Sequence, residues 1–143
     1  MGTVRHILQR KPKNLFYVEP TFTVYQALEQ MVEQNVGALM VMHDGHLLGI
    51  FTERDYARKV ILRGKASKHT HVEEIMSEHP VVVSPNDSVE ECMKLMTSRY
   101  IRHLPVLEND TVIGLISIGD IVKYIIDEQK FIIENLEHYI SGT

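Results

Sequence analysis

Apolar and polar positions alternate along this chain in a pattern that is written twice. Residues 18–55 align with residues 83–120 at a constant offset of 65, without a gap. Val18, Pro20, Val24, Met31, Leu39, Val41, Gly49 and Asp55 meet identical residues at Val83, Pro85, Val89, Met96, Leu104, Val106, Gly114 and Asp120. Between them, Ala27/Cys92, Leu28/Met93, Val36/Ile101, Leu48/Ile113, Ile50/Leu115 and Phe51/Ile116 exchange apolar for apolar, and Thr52/Ser117 keeps a hydroxyl. Upstream, Val4 and Ile7 match Val72 and Ile75 after a three-residue shift. Each unit is longer than common solenoid repeats, so two of them point to one pseudo-symmetric domain with a shared core.

Both units predict the same elements. A short extended segment (Phe16–Val18; Val81–Val83) leads to a Pro-containing turn. Thr23 and Ser88 stand where helix N-caps stand. Val24, Ala27, Leu28, Met31 and Val32 follow at helical spacing, as do Val89, Cys92, Met93 and Met96. Two apolar runs come next, Ala38–Met42 with Leu47–Phe51 and Leu104–Leu107 with Val112–Ile116, each pair joined by a polar turn. A second helix follows Asp55 and Asp120. The order β–α–β–β–α, twice over, is an α/β domain. The predicted organisation is a first unit at 4–62, a basic and solvated linker at 63–71, a second unit at 72–126 and a helical extension at 127–143. In that extension Ile125, Ile132, Leu136 and Tyr139 recur at 3–4 and 7 spacing. It reads either as a terminal helix packed on its own domain or as a helix used in dimerisation.

The sharpest chemical feature is Gly49-Ile50-Phe51-Thr52-Glu53-Arg54-Asp55, repeated as Gly114-Leu115-Ile116-Ser117-Ile118-Gly119-Asp120. An apolar strand delivers a hydroxyl, and an Asp follows three residues later at a helix start. One reading is a capping box. The other is a ligand site: a helix N-terminus offers N–H groups to an anion, and a carboxylate can accept both hydroxyls of a ribose diol. Duplication alone does not decide between them. Arg102 and His103 stand immediately before a buried strand, and an Arg fork suits phosphate oxygens.

Composition narrows the class. The formal net charge of −4 argues against a general nucleic-acid or membrane-surface binder. Cys92 is the only cysteine, which excludes an intrachain disulfide and fits a reducing cytoplasm. No signal peptide or spanning segment is visible, so the expected location is cytoplasmic. Cys92 falls at a core helix position, and no metal-ligand spacing, phosphate loop or nucleophile elbow occurs. The expectation is that the protein is not an enzyme.

Together the tandem units, the twin Gly-h-h-Ser/Thr-x-x-Asp turns (h, any apolar residue) and the strand Arg102-His103-Leu104-Pro105-Val106 resemble the CBS-domain pair, over about Val4 to Ile126. The run from Gly49 to Asp55 resembles small stand-alone bacterial members. The resemblance implies a pseudo-two-fold module that dimerises to a disc, with adenosine compounds bound in two clefts between the repeats. One cleft would use Thr52, Arg54 and Asp55 with Val81, Ile101 and Arg102. The other would use Ser117 and Asp120 with Phe16, Val36 and Gly37, and Arg102 and His103, at a position that reaches phosphates in related modules, could serve either. Arg54 against Gly119, and Arg102 against Gly37, make the clefts unequal and crowd phosphate chemistry toward the Asp55 side. The implied ligand is AMP or NAD, or else ATP, and the implied partners are a second copy and an effector protein of unknown identity. A ligand-independent interaction module is the alternative, and a small hydrolase or transferase a further one.

Overall fold

In the computed structural model, which describes residues 2–141, helix α2 (Val24–Gln34) starts where its cap residue dictates. Thr23 Oγ1 accepts the Gln26 amide at 3.1 Å, and Gln26 Oε1 accepts the Thr23 amide at 2.9 Å. Its counterpart α5 (Val89–Arg99) begins at Ser88, whose Oγ accepts the Glu91 amide at 3.1 Å. Each satisfies N–H groups that the first helical turn leaves without an intrahelical acceptor.

The first sheet has the order β1-β2-β3-β4: Tyr17–Val18, Ala38–His43, His46–Thr52 and Ser77–Glu78. β1 pairs parallel to β2, and β2–β3 and β3–β4 are antiparallel. The second sheet is the hairpin β5 (His103–Glu108) with β6 (Thr111–Ser117). The offset of 65 reappears as register: Val18 opposes Val41 in the first unit and Val83 opposes Val106 in the second. The predicted extended segment Val81–Val83 makes only this bridge and no full strand. Pro105 stands where Met40 stands in β2, and proline has no N–H to offer the neighbouring segment.

The sequence units and the packing units differ by one helix. Helix α1 (Val4–Gln9) precedes the first unit in the chain, yet Val4 and Ile7 are buried with Val83, Val89, Cys92 and Leu104 of the second. Helix α4 (Val72–Ile75) leads the second unit, yet Val72 and Ile75 are buried with Val24, Leu39, Val41 and Phe51 of the first. Two backbone bonds clamp each crossing, at equivalent positions. Val4 N donates to Asp87 O at 2.9 Å and Val89 N to Gly2 O at 3.0 Å; Val72 N donates to Phe22 O and Val24 N to Thr70 O, both at 2.8 Å. The connection at 63–71 is accordingly not solvated throughout: Arg63, Lys65 and Lys68 are exposed, whereas Thr70 is buried. A third apolar cluster, Met40, Met42 and Val112 with Leu107 and Leu115, lies between the two sheets.

Helix α3 (Glu53–Tyr56) continues into a wide turn, Ala57–Ile61. Its counterpart α6 (Ile118–Ser141) is a single helix of 24 residues. Ile121 and Tyr124 are buried, but residues 129–141 are exposed along every face. Packing on its own domain therefore accounts for the first half of α6 only. The last two residues of the predicted extension lie outside the described region. Among the described residues, no helix is long and apolar enough to cross a membrane.

Gly49 and Gly114 let the crossed segments lie against the strands. A Cβ at Gly49 would come 2.7 Å from the Ser77 carbonyl oxygen and 2.7 Å from Met76 Sδ; one at Gly114 would come 2.8 Å from Leu8 Cδ2. A methyl group can rotate aside, but a backbone carbonyl paired in a sheet cannot. Gly49→Ala should therefore cost about 2–3 kcal/mol, within the usual range for overpacking, and Gly114→Ala under about 1 kcal/mol. Urea unfolding followed by circular dichroism measures both; equal losses would contradict this account.

Candidate functional site

Both hydroxyl–carboxylate turns close as reciprocal caps. Asp55 N donates to Thr52 Oγ1 at 3.1 Å and Thr52 N to Asp55 Oδ2 at 3.0 Å. Asp120 N donates to Ser117 Oγ at 3.1 Å and Ser117 N to Asp120 Oδ2 at 2.8 Å. The capping reading is thus true of both turns. What distinguishes them is the disposition of the remaining lone pairs and protons.

Asp55 has none to spare. Its Oδ2 also accepts the Thr52 hydroxyl at 3.1 Å. Its Oδ1 accepts Ser77 Oγ–H at 2.9 Å and the Lys59 ammonium at 3.0 Å. The residue is 5% exposed. Ser77 reaches it because β4 runs close along β3, which Gly49 permits. Asp120 is different. Its Oδ2 takes the Lys11 ammonium at 2.7 Å, and Lys11 also donates to the Leu115 carbonyl at 2.6 Å. Asp120 Oδ1 and the Ser117 hydroxyl proton have no partner among the described residues.

A cleft of about 710 Å³ opens on the Asp120 side. It brings together Phe16, Val36 and Gly37 from the first unit with His103, Ser117 and Asp120 from the second. Lys11, Lys13 and Arg5 add cations to its wall. A concave, largely apolar space with a few convergent polar groups is the usual form of a small-molecule site. Burial holds His103 below its ordinary value of 6.5; Asp120 opposes that shift, while Lys11 and Arg102 reinforce it. The ring is therefore neutral at pH 7.

None of Thr52, Arg54, Asp55, Val81, Ile101 and Arg102 lines this cleft. Val81 and Ile101 are half-buried against the second core, and Arg102 is exposed. Arg54 Nη1 donates to the Tyr100 carbonyl at 2.7 Å, tying α3 of the first unit to the end of α5. The equivalent positions in the other repeat are both glycine, Gly119 for Arg54 and Gly37 for Arg102, and of these Gly37 lines the open cleft. The described cleft lies on the Asp120 side, opposite the side to which the two exchanges direct phosphate chemistry. Arg54 is used on a backbone carbonyl.

Sequence reasoning missed Lys11. Its partnership with Asp120 exists only because α1 crosses to the second unit, which no local pattern announces. Elsewhere the chemistry is quiet. Burial, with Asp87 and Glu91, pushes the Cys92 thiol up to about 11, so it carries no thiolate at neutral pH. Among the described residues no group of three His, Cys, Asp or Glu side chains is placed to hold a metal. His43 pairs with Glu19 at 3.0 Å, but on the open surface.

Known proteins share this architecture. The chain is 44% identical over 125 residues to the mitochondrial CBS domain-containing protein CBSX3 of Arabidopsis thaliana, covering 84% of this chain and 61% of that protein. It therefore spans less than two thirds of that relative's length. A solved CBS-domain structure from Burkholderia ambifaria superposes with a TM-score of 0.86 at 48% identity, covering 89% of this chain and 96% of the other. The structure of CBSX2 in complex with AMP superposes with a TM-score of 0.73 at 28% identity, covering 90% and 99%. The sequence matches the CBS domain twice, over residues 4–62 and 72–127. With these matches, and a strand register that repeats at the same offset, the chain belongs to the CBS-domain family of regulatory modules.

Proposed function

We propose that this module binds one adenine nucleotide in the cleft between Phe16, Val36 and Asp120, and that the bound nucleotide regulates a partner. The observation that carries this reading is the unpartnered Asp120 Oδ1 beside the Ser117 hydroxyl on the wall of the 710 Å³ cleft. That oxygen can accept a ribose hydroxyl, and Ser117 can donate to a phosphate. Phe16 and Val36 offer apolar surface to adenine. AMP and NAD are the preferred ligands and ATP fits the same chemistry. The AMP complex of CBSX2 supports the choice.

The Asp55 side takes the weaker site or none. Both its carboxylate oxygens are committed, and Arg54 ties the repeats together across it. A nucleotide in the Asp120 cleft touches side chains of both units. It can therefore favour one relative placement of the repeats over another, which is the requirement for a ligand to shift an equilibrium. A bound phosphate near His103 would raise the pKa of that ring. Binding would then take up a proton at that ring, so affinity for AMP should rise as pH falls from 8 toward about 6.5, above the range in which the phosphate monoester itself protonates. The same depressed pKa makes the ligand-free fold lose stability as pH falls below 6.5, because the unfolded chain protonates first.

Isothermal titration tests the assignment. AMP should bind with one site per chain, and Asp120→Ala should weaken it by about 1–3 kcal/mol, the range for a buried charged hydrogen bond. Asp55→Ala should leave affinity nearly unchanged while costing about 3 kcal/mol or more of stability, since it strands Lys59. Equal effects of the two substitutions on affinity, or no heat with any adenine nucleotide, would remove the reading.

A second reading concerns α6. Ile126, Phe131, Ile132, Ile133, Leu136, Tyr139 and Ile140 are each between 46% and 86% exposed on one helix. A helical segment exposed on every face is marginal without packing. We propose that a second copy covers this stripe in a homodimer, whether or not nucleotide is bound. Sedimentation equilibrium should show a dimer for the natural chain and a monomer for Ile132→Glu with Leu136→Glu; an unchanged mass would reject it.

A further inference from the structure

The two acids at the repeat turns are neutralised from different places. Asp55 has Lys59, four residues on in its own helical segment and anchored as well to the Ile75 carbonyl at 3.1 Å. The residue equivalent to Lys59 in the second unit is Tyr124, which is buried in the core. Asp120 therefore lacks a lysine four residues on, and Lys123, three residues on, makes no ion pair with it among the described residues. Its cation is Lys11, which comes from the connection between α1 and β1 and belongs to neither helix.

That connection has an unusual length. Up to Pro12 and Pro80 the repeats align at an offset of 68, and from Phe16 and Val81 onward at 65. The first connection is thus longer by Lys13-Asn14-Leu15, with no counterpart between Pro80 and Val81. All three inserted residues line the Asp120 cleft, as does Lys11. His79, the counterpart of Lys11, is exposed and takes no part in the Asp55 cluster.

We infer that Lys11, assisted by Lys13, makes this cleft selective for phosphorylated adenosine compounds over neutral or sulfonium-bearing ones. The inference rests on the nucleotide reading above and names what that site discriminates. Among the described residues that line the cleft Asp120 is the only carboxylate, and Lys11 already balances it, while Glu53 stands behind Gly37 at its edge. Lys13 has no acidic partner among the described residues. The net field at the cleft is cationic, so an anion gains and a sulfonium loses. Lys11 spends two of its three N–H donors, on Asp120 and on Leu115 O, which leaves the third for a phosphate oxygen. A ribose hydroxyl on Asp120 Oδ1 leaves the Lys11 contact on Oδ2 undisturbed. Ligand and lysine share the carboxylate, so the diol and the phosphate are recognised together.

The test is calorimetric titration of AMP, adenosine and S-adenosylmethionine into the natural chain, Lys11→Met, Lys11→Arg and Lys13→Met, with thermal melting to confirm each variant is folded. The natural chain should bind AMP about tenfold or more tightly than adenosine, as one charged hydrogen bond allows, and S-adenosylmethionine more weakly than adenosine. Lys11→Met should bring the AMP-to-adenosine ratio close to one, Lys11→Arg should restore part of it, and Lys13→Met should lower it severalfold. Adenosine bound as tightly as AMP by the natural chain, or a Lys11→Met loss shared equally by both ligands, would overturn the selectivity while leaving nucleotide binding intact. Binding of none of the three would overturn the nucleotide reading itself, and this inference with it.

Discussion

The exchange of leading helices between the repeats is the constraint on which the rest of this molecule depends. Val4 and Ile7 complete the core of the second unit, and Val72 and Ile75 complete that of the first. Neither half has a closed core without a segment from elsewhere in the chain. Each crossing is clamped by a pair of backbone bonds and admitted by one glycine, Gly49 or Gly114, whose missing Cβ makes room against the strand. The connection after α1 must then return from the second unit to β1 of the first. On its way it forms one wall of the cleft. The site is a consequence of how the cores are shared.

Two turns with the same hydroxyl and the same acid meet different fates for the same reason. The segment crossing beside β3 brings Ser77, and with Lys59 it uses up the lone pairs of Asp55. The segment crossing beside β6 brings Lys11, which occupies one oxygen of Asp120 and leaves the other free. A carboxylate that is nearly buried with all its partners supplied stabilises a turn. One that is part-exposed in a cleft with an oxygen unpledged can bind. Arg54 acts in the same direction, since on the Asp55 side it reaches across to the Tyr100 carbonyl. Duplication supplied two similar turns, and their surroundings left one acid fully partnered and the other with a free oxygen on a cleft.

A ligand bound against Phe16, Val36, Ser117 and Asp120 would lie where the repeats meet, beside the Met40–Val112 packing between the sheets. Small changes in the angle between the halves would alter its contacts, and the ligand would in turn resist such changes. The half of α6 beyond Tyr124 extends from the second unit with its apolar stripe uncovered. Ser117 and Asp120 sit at the start of that same helix. The cleft wall and the stripe are thus joined by one continuous helix.

Much of the fold was legible in the chain, because its signals are local. Helical spacing with Thr23 and Ser88 as caps, the paired apolar runs with polar turns, and the offset of 65 all depend on neighbours within a few residues or on counting. The same offset relates the register of Val83 against Val106 to that of Val18 against Val41, though Pro105 reduced the second strand to a bridge. Five residues assigned to one cleft, Phe16, Val36, Gly37, Ser117 and Asp120, do line one cleft. Which acid keeps a free oxygen was not legible. That depends on Ser77, Lys59 and Lys11 reaching two similar carboxylates, and two of the three arrive on segments that cross between repeats. The residues and their order therefore determined the repeat and its twin turns. Only the tertiary structure decided which acid is fully partnered and which keeps a free oxygen on a cleft, because hydrogen-bond capacity is spent on whatever packing brings near.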